Sequence, residues 1–252
     1  MQKICTLILV LCFPVLLLAQ TRKQNSFSAT VSGGFTDSYI KQTKVGNLAG
    51  NETTGRFTAG IHAWYNKTLG NKWDLQTGIG YTDFGFRRQQ PDAKLMDHTY
   101  PGLGSGMILD ASNVRKNINY DYRFHYIQIP LWFNYDLGRT KDFKTNFSLT
   151  MGAALDVLVK HHMTARLDKF TVDEEKKFQF DSTGLKASPV NMNVNLGFKV
   201  EHKMDKTTTL IVQPMFNLFP FSTTTEDIKV RPYAVMLHIG LVLNLSGSGD
   251  KE

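Results

Sequence analysis

Beyond its first 20 residues the chain alternates hydrophobic and polar positions with a period of two, again and again. Side chains at i, i+2 and i+4 share one face of a strand, whereas a helix repeats every 3.6 residues, so the pattern predicts strands. From Ser26 to Phe35, Phe27, Ala29, Val31 and Phe35 alternate with Ser26, Ser28, Thr30 and Ser32. From Arg56 to Tyr65, Phe57, Ala59, Ile61, Ala63 and Tyr65 alternate with Arg56, Thr58, Gly60 and His62. A third strand sets Trp73, Leu75, Thr77, Ile79 and Tyr81 against Asp74, Gln76, Gly78 and Gly80, and a fourth carries Ile127, Ile129, Leu131, Phe133 and Tyr135. The fifth runs from Phe143 to Val157 and the sixth, the most polarised, opposes Val190, Met192, Val194, Leu196, Phe198 and Val200 to Asn191, Asn193, Asn195, Lys199 and Glu201. Leu210 to Leu218 and Tyr233 to Leu245 complete a count of about eight.

The connections alternate in length. Short turns fall at Lys67–Lys72, Gly138–Asp142 and Lys203–Thr207, with the Gly, Asn or Asp that tight reversals use. Long loops fall at Thr36–Gly55, Arg87–Asp121, Lys160–Pro189 and Pro220–Lys229. Turns at one end and loops at the other predict an all-β fold: an eight-stranded antiparallel up-and-down transmembrane β-barrel with short periplasmic turns and long extracellular loops. Aromatic rings favour membrane interfaces, and they stand where the barrel needs them. Tyr65, Trp73, Tyr135 and Phe143 mark the turn end of the apolar faces, and Phe35, Tyr81, Phe216 and Tyr233 mark the loop end. Alternation alone does not set which face is inside, so a soluble lipocalin-like ligand-binding barrel is the alternative. The uncharged apolar faces and the ring positions favour the membrane barrel.

The first 20 residues, MQKICTLILVLCFPVLLLAQ, have a charged start at Lys3, an apolar run from Ile4 to Leu18 and a small Ala19 before a polar break. This is the form of a secretory signal peptide, and the run is shorter than the roughly 20 residues of a spanning helix. Cleavage is expected near Ala19 or Gln20. The expected organisation is residues 1–20 as cleaved signal peptide, 21–245 as one outer-membrane barrel domain and 246–252 as a flexible tail. Cys5 and Cys12 are the only 2 cysteines and both lie in the leader, so the mature chain is expected to form no disulfide and no thiolate metal site. Leu11 before Cys12 argues against lipid attachment there.

Composition narrows the choice. Hydrophobic residues at 42%, charged residues at 20% and a mean hydropathy of -0.24 fit neither a disordered chain nor a helical membrane protein, but a transmembrane barrel averages to such values. The formal charge is +7 with a pI near 9.3. The basic residues are dispersed and the chain is exported, so acidic envelope partners or anionic lipopolysaccharide fit this charge better than nucleic acid.

The segment HYIQIPLWFNYDLG, His125 to Gly138, resembles the aromatic, aliphatic, Ile-Pro strand before a tight turn in the PorT-type outer-membrane β-barrel family of Gram-negative bacteria. LQTGIGYTDFG from Leu75, FSLTMGAALDVLV from Phe147 and LGFKVEHKM from Leu196 support the resemblance. HIGLVLNL, His238 to Leu245, is similar to the carboxy-terminal assembly signal of such barrels, with Leu245 where an aromatic is usual. The resemblance implies an outer-membrane location, handling by the barrel assembly machinery during insertion, and a role in envelope or secretion assembly.

Candidate chemistry is sparse. The sequence holds no G-x-S-x-G elbow, H-E-x-x-H helix, P-loop or dinucleotide fingerprint. His161 and His162, with Asp168, Asp173, Glu174 and Glu175 nearby, raise a cation site, but adjacent histidines do not share a strand face. Arg56, His62, Asp74, Gln76, Lys144, Asp156, Asn191, Asn193, Asn195, Lys199, Glu201, Gln213 and His238 are expected to point into the lumen. An eight-stranded barrel is just wide enough to fill with side chains, so these predict a packed polar network that neutralises its own charges and no conducting pore. No catalytic, cofactor-binding or metal residue is therefore nominated, and no cofactor is expected. Arg87, Arg88, Arg115, Lys116 and Arg123 could meet lipopolysaccharide phosphates, although solvated loop charge accounts for them as well. The expected function is that of a non-enzymatic, monomeric barrel whose loops bind a surface ligand or partner. The alternatives are a lipid-modifying enzyme using His62, His162 or His238, and the soluble barrel.

Overall fold

The computed structural model describes residues 25–42, 53–70, 72–93, 116–139, 144–167, 176–180, 187–205, 207–225 and 228–244. The leader with Cys5 and Cys12, as well as Phe143, Leu245 and the tail, lie outside them. The strands are β1 (Asn25–Gln42), β2 (Thr53–Thr54), β3 (Arg56–Thr68), β4 (Trp73–Ala93), β5 (Lys116–Arg139), β6 (Thr145–Leu167), β7 (Lys176–Phe180), β8 (Val190–Lys203), β9 (Thr208–Leu218) and β10 (Ile228–Asn244). Eight of them close an antiparallel ring in the order β1, β3, β4, β5, β6, β8, β9, β10, with β10 pairing back onto β1 from Ser26↔Asn244 to Gln42↔Ile228. Closure gives every strand of the ring two neighbours and removes the free edges that an open sheet exposes. The short β2 and β7 add to β4 and β6 on the loop side.

The apolar faces point outward. Val31, Phe35, Ile61 and Val235 are 61%, 67%, 59% and 60% exposed, while Thr30, Thr58, His62 and Gln213, on the opposite faces of the same strands or their neighbours, are buried. A lipocalin-like barrel needs the reverse arrangement, so that alternative is overturned. Paired rings ring the wall at two levels: Phe27 with Tyr65 and Trp73 with Tyr135 on the turn side, at centroid distances of 5.5 and 4.9 Å, and Phe35 with Phe57 on the loop side at 6.1 Å. Eight residues separate Phe27 from Phe35, which at ~3.3 Å each and a tilt near 40° gives a band on the order of 20 Å tall.

The first and last turns close as the sequence predicts, and residues 140–142 of the one expected at Gly138–Asp142 lie outside the described residues. Leu69 N–H donates to Trp73 O at 2.8 Å, and in the last turn Met204 N–H donates to Thr208 O at 3.0 Å. Asp205 Oδ1 accepts the Thr207 and Thr208 amides, both at 2.7 Å. Gly138 has φ of 132°, a conformation that favours glycine, and its N–H donates to Asp136 Oδ1 at 2.8 Å.

The loop side differs from the sequence reading. β1 continues to Gln42, β4 to Ala93 and β6 to Leu167, while β5 starts at Lys116 and β10 at Ile228, each inside a segment expected to be loop. The expected loops were bounded where the hydrophobic face ends, but backbone pairing continues past the membrane wherever two neighbours rise together. The fourth connection is compact: Thr223 N–H donates to Val230 O at 2.7 Å, Ser188 N–H donates to Thr223 O at 2.7 Å, and Thr223 and Thr224 are buried.

Candidate functional site

Midway along the lumen, Trp64 of β3 and Trp132 of β5 pack at 4.4 Å with Met215 of β9 beside them. Buried indole N–H groups need acceptors, and Thr30 Oγ1 and Asn195 Oδ1 supply them at 2.9 and 3.0 Å. Small residues opposite make room for these rings. His62 lies across from Gly80, where a Cβ would overlap the imidazole, and a Cβ at Gly152 would come within 2.8 Å of Trp132 Cδ1. His62 stacks on Trp64 at 5.2 Å, and His238 meets His62 at 5.0 Å and Trp132 edge-on at 5.6 Å.

Asp156, fully buried on β6, organises the polar side of this layer. Its Oδ1 accepts from Gln128 Nε2 and its Oδ2 from Asn193 Nδ2, both at 2.6 Å. Gln128 Oε1 in turn meets His62 Nε2 at 3.1 Å and the Thr82 hydroxyl at 2.9 Å, and Asn195 Nδ2 reaches Asn193 Oδ1 and Asn217 Oδ1 at 2.6 and 2.7 Å. Lower in the barrel, Gln213 donates to Thr150, which donates to Asn134, which donates to Gln76. Arg56, His62, Gln76, Asp156, Asn191, Asn193, Asn195, Lys199, Gln213 and His238 are all buried, as expected. Asp74 and Glu201 are only half-buried, and Lys144 is exposed because it precedes the first residue of β6, at the turn-side mouth. Charge is handled unevenly. Lys199 Nζ pairs with Glu201 at 2.9 Å, but Asp156 is met by amides rather than by a cation among the described residues.

The loop-side half of the lumen is built mainly of aromatic and apolar side chains, which corrects the expectation of a polar network throughout. Phe84, Phe86, Tyr120, Tyr122, Phe124, Tyr126, Met163, Phe219, Val230, Ala234 and Met236 form one buried cluster. Phe219, at the end of β9, packs edge-on against Phe84 at 5.0 Å, and Phe86 stacks on Tyr122 at 4.7 Å. The signal is present in the alternation of Tyr120, Tyr122, Phe124 and Tyr126 with Asp121, Arg123 and His125, which crosses the expected loop boundary at Asp121.

Of the histidines considered for lipid chemistry, His62 and His238 meet in the lumen, whereas His162 stacks on His125 instead. His62 bonds Gln128 and Thr82, neither it nor His238 bonds a serine or a carboxylate among the described residues, and His162 lies on the outer wall. Strand alternation separates His161 from His162, and a register shift between β5 and β6 decides which of them faces outward. Tyr126 pairs with Leu158 but His125 with Lys160, so Val159 is an extra residue that inverts the faces of β6 beyond it. His161 consequently stacks inward on Phe124 at 6.3 Å, and His162 stacks on outward-facing His125 at 5.2 Å. Asp168, Asp173, Glu174 and Glu175 lie outside the described residues, and no group of three or more His, Cys, Asp or Glu able to hold a metal occurs among the described ones.

The basic residues divide likewise. Arg87 is exposed, Arg88 turns inward to bond the Tyr122 hydroxyl, Arg123 is half-buried on the outer face, Lys116 begins β5, and Arg115 is outside the described residues. Arg56 fills the wall where β3–β4 pairing stops at Gly60↔Thr82, bonding Asp83 Oδ2 at 2.9 Å and lying 3.2 Å from Asp121 Oδ1.

An outward apolar belt between two aromatic levels, around a lumen filled by its own side chains, defines a membrane-spanning β-barrel of the outer-membrane type. Residues 18–185, more than half of the chain, match the outer membrane protein beta-barrel domain family, and the chain belongs to it. The family places the protein in the outer membrane, with the turn side periplasmic and the loop side extracellular. Among solved structures, the chain is similar to Neisserial surface protein A, at 11% identity over 87% of this chain and 97% of that one, with a TM-score of 0.39. It is also similar to OprG of Pseudomonas aeruginosa (9% identity, 88% and 98% coverage, TM-score 0.37) and to Ail of Yersinia pestis (10% identity, 86% and 98% coverage, TM-score 0.29). A comparison with curated proteins finds no match.

Proposed function

We propose that this chain is a non-enzymatic, monomeric outer-membrane barrel that recognises a surface ligand or protein partner through its extracellular end, in support of an envelope or secretion assembly. One observation carries the reading. β4, β5 and β6 are 21, 24 and 23 residues long, against 13, 14 and 11 for β3, β8 and β9. These three neighbours therefore stand beyond the membrane as a sheet, stiffened underneath by the aromatic cluster. Rigid elements that present loops are the usual foundation of a recognition surface. Among the described residues the lumen is filled by its own side chains, and His62 meets the Thr82 hydroxyl and the Gln128 amide but no carboxylate, which favours recognition over transport or hydrolysis. The finer reading, a PorT-type role in secretion, rests on the likeness of His125 to Gly138 to that family. Lipopolysaccharide and the barrel assembly machinery are the partners this location supplies.

Photo-crosslinking in intact cells tests the proposal. A benzophenone side chain at exposed Gln89 or Arg166 is expected to trap a discrete partner, and one at Lys203, on the periplasmic turn, is not. Adducts only at Lys203, or none from a barrel that still shows its heat-dependent electrophoretic shift, would refute it. In planar bilayers the wild-type protein is expected to show no steady conductance, and replacing both Trp64 and Trp132 by Ala should produce it.

A further inference from the structure

The outward faces of β4, β5 and β6 change character at one height. Tyr81, Ile127 and Val157 form the last apolar row, in mutual register. The next row is Asp83, His125 and Lys160, and the one after it Gly85, Arg123 and His162. Four nitrogen-bearing side chains thus occupy adjacent positions on β5 and β6, facing sideways from the barrel just above its lipid belt.

This grouping is built. Were Val159 an ordinary ladder residue instead of a bulge, β6 would turn Lys160 and His162 inward and His161 outward, and the cluster would be dispersed. His125 is held by Tyr81, whose hydroxyl lies 2.8 Å from Nδ1, and by the stack with His162. The two carboxylates on this face, Asp83 within the row and Asp121 next to Arg123, are both already bonded. Asp83 binds Arg56 and accepts the Ala59 amide at 2.8 Å, and Asp121 lies between Arg56 at 3.2 Å and Arg123 at 3.3 Å. Gly85 sets no side chain across from Arg123, which is 40% exposed. Counting Arg56, Arg87, Arg123, Lys160 and Arg166 against Asp83 and Asp121 leaves a positive excess even with both imidazoles neutral.

We propose that Arg123, His125, Lys160 and His162 form a seat on the outer wall for the phosphate of an outer-leaflet glycolipid, whose acyl chains lie down the exposed face of Tyr81, Ile127, Val157 and Val159. Basic side chains at the headgroup level attract anionic lipid, and a guanidinium with nearby N–H donors matches phosphate geometry. The occupant follows from the direction of the face. It opens laterally into the headgroup layer rather than upward into solvent, and the apolar rows directly below it provide for a lipid tail. The site is separate from the extracellular tip and rests on the reading above only in that the loop side faces the outer leaflet.

The test is native mass spectrometry of the full-length barrel in detergent with added lipid A, comparing wild type, R123A/K160A, Arg123→Lys and a control pair on β10, K229A/R231A. Retention of lipid A is expected to fall at least tenfold in R123A/K160A, to survive in K229A/R231A and to recover partly with Arg123→Lys. Dephosphorylated lipid A should bind at the level of the double variant, and inorganic phosphate should not displace the intact lipid. Equal retention by wild type and double variant, equal binding of dephosphorylated lipid, or displacement by inorganic phosphate alone would overturn the proposal. The heat-dependent electrophoretic shift confirms that each variant is an assembled barrel.

Discussion

Replacing Val31 by arginine tests the orientation of the whole wall. Val31 is 61% exposed, four residues from Phe27 toward the turns and four from Phe35 toward the loops. Its cross-strand neighbours are Ile61 and Ile239, so no carboxylate is available to a new cation. Four residues at ~3.3 Å, tilted near 40°, put the position on the order of 10 Å from either aromatic level, farther than a guanidinium comfortably snorkels. An arginine at the midplane of a transmembrane barrel costs about 2–4 kcal/mol, falling to about 0–1 near the interfaces. Val31→Arg should therefore lose about 2–4 kcal/mol in a urea titration in lipid vesicles, followed by tryptophan fluorescence, and Tyr39→Arg, four residues beyond Phe35 on the same face, at most about 1. Were the wall in water, both positions would be ordinary surface sites and both changes would fall within about 0.5 kcal/mol of zero. Equal effects at positions 31 and 39 would refute the assignment of the belt to lipid.

Asp156→Ala should destabilise the barrel by about 2–6 kcal/mol in the same titration, because it orphans the buried Gln128 and Asn193 donors at about 1–3 each; a loss under about 0.5 would mean that the network is not structural. Asp205, exposed in the β8–β9 turn, is held below the usual carboxylate range by the Thr207 and Thr208 amides that bond it. A depressed carboxylate stabilises the folded form above its unfolded pKa, about 4, and ceases to as pH falls through the folded value. The stability gap between wild type and Asp205→Ala should therefore be constant at neutral pH and close below about pH 4, and a gap that persists in acid would contradict the role of the charge.

The membrane-embedded part of the fold was legible because a single physical rule governs it: lipid outside and packing inside enforce strict alternation, as in Val190 to Val200. The last tight turn was legible from Asp205, a residue that such geometry selects. The extracellular part was not. Beyond the belt the outer face becomes polar while the inner face becomes aromatic, so the contrast reverses at Phe84 and Tyr126, and a search for apolar outer faces ends there. The inversion at Val159 was invisible for a related reason. A bulge changes no composition and only slips the phase, which requires the partner strand to be known. Of the candidate residues, the lumen set was found from alternation, Lys144 was misplaced because it precedes the first residue of β6, and the outer-wall grouping needed the register of three strands.

The seam between β1 and β10 has a consequence for how the molecule comes into being. Every other contact in the ring joins strands that are neighbours in the described chain order or separated only by the short β2 or β7, so hairpins can form as the chain arrives. The seam joins the first strand to the last, over seventeen residue pairs, and its loop-closure entropy is the largest in the fold. Until it closes, two long strands carry unpaired amides and carbonyls that hydrocarbon cannot solvate. Insertion and closure must therefore be nearly simultaneous or be chaperoned at this one junction. The lifetime of the open form is set by how soon HIGLVLN on β10 finds ATVSGGF on β1.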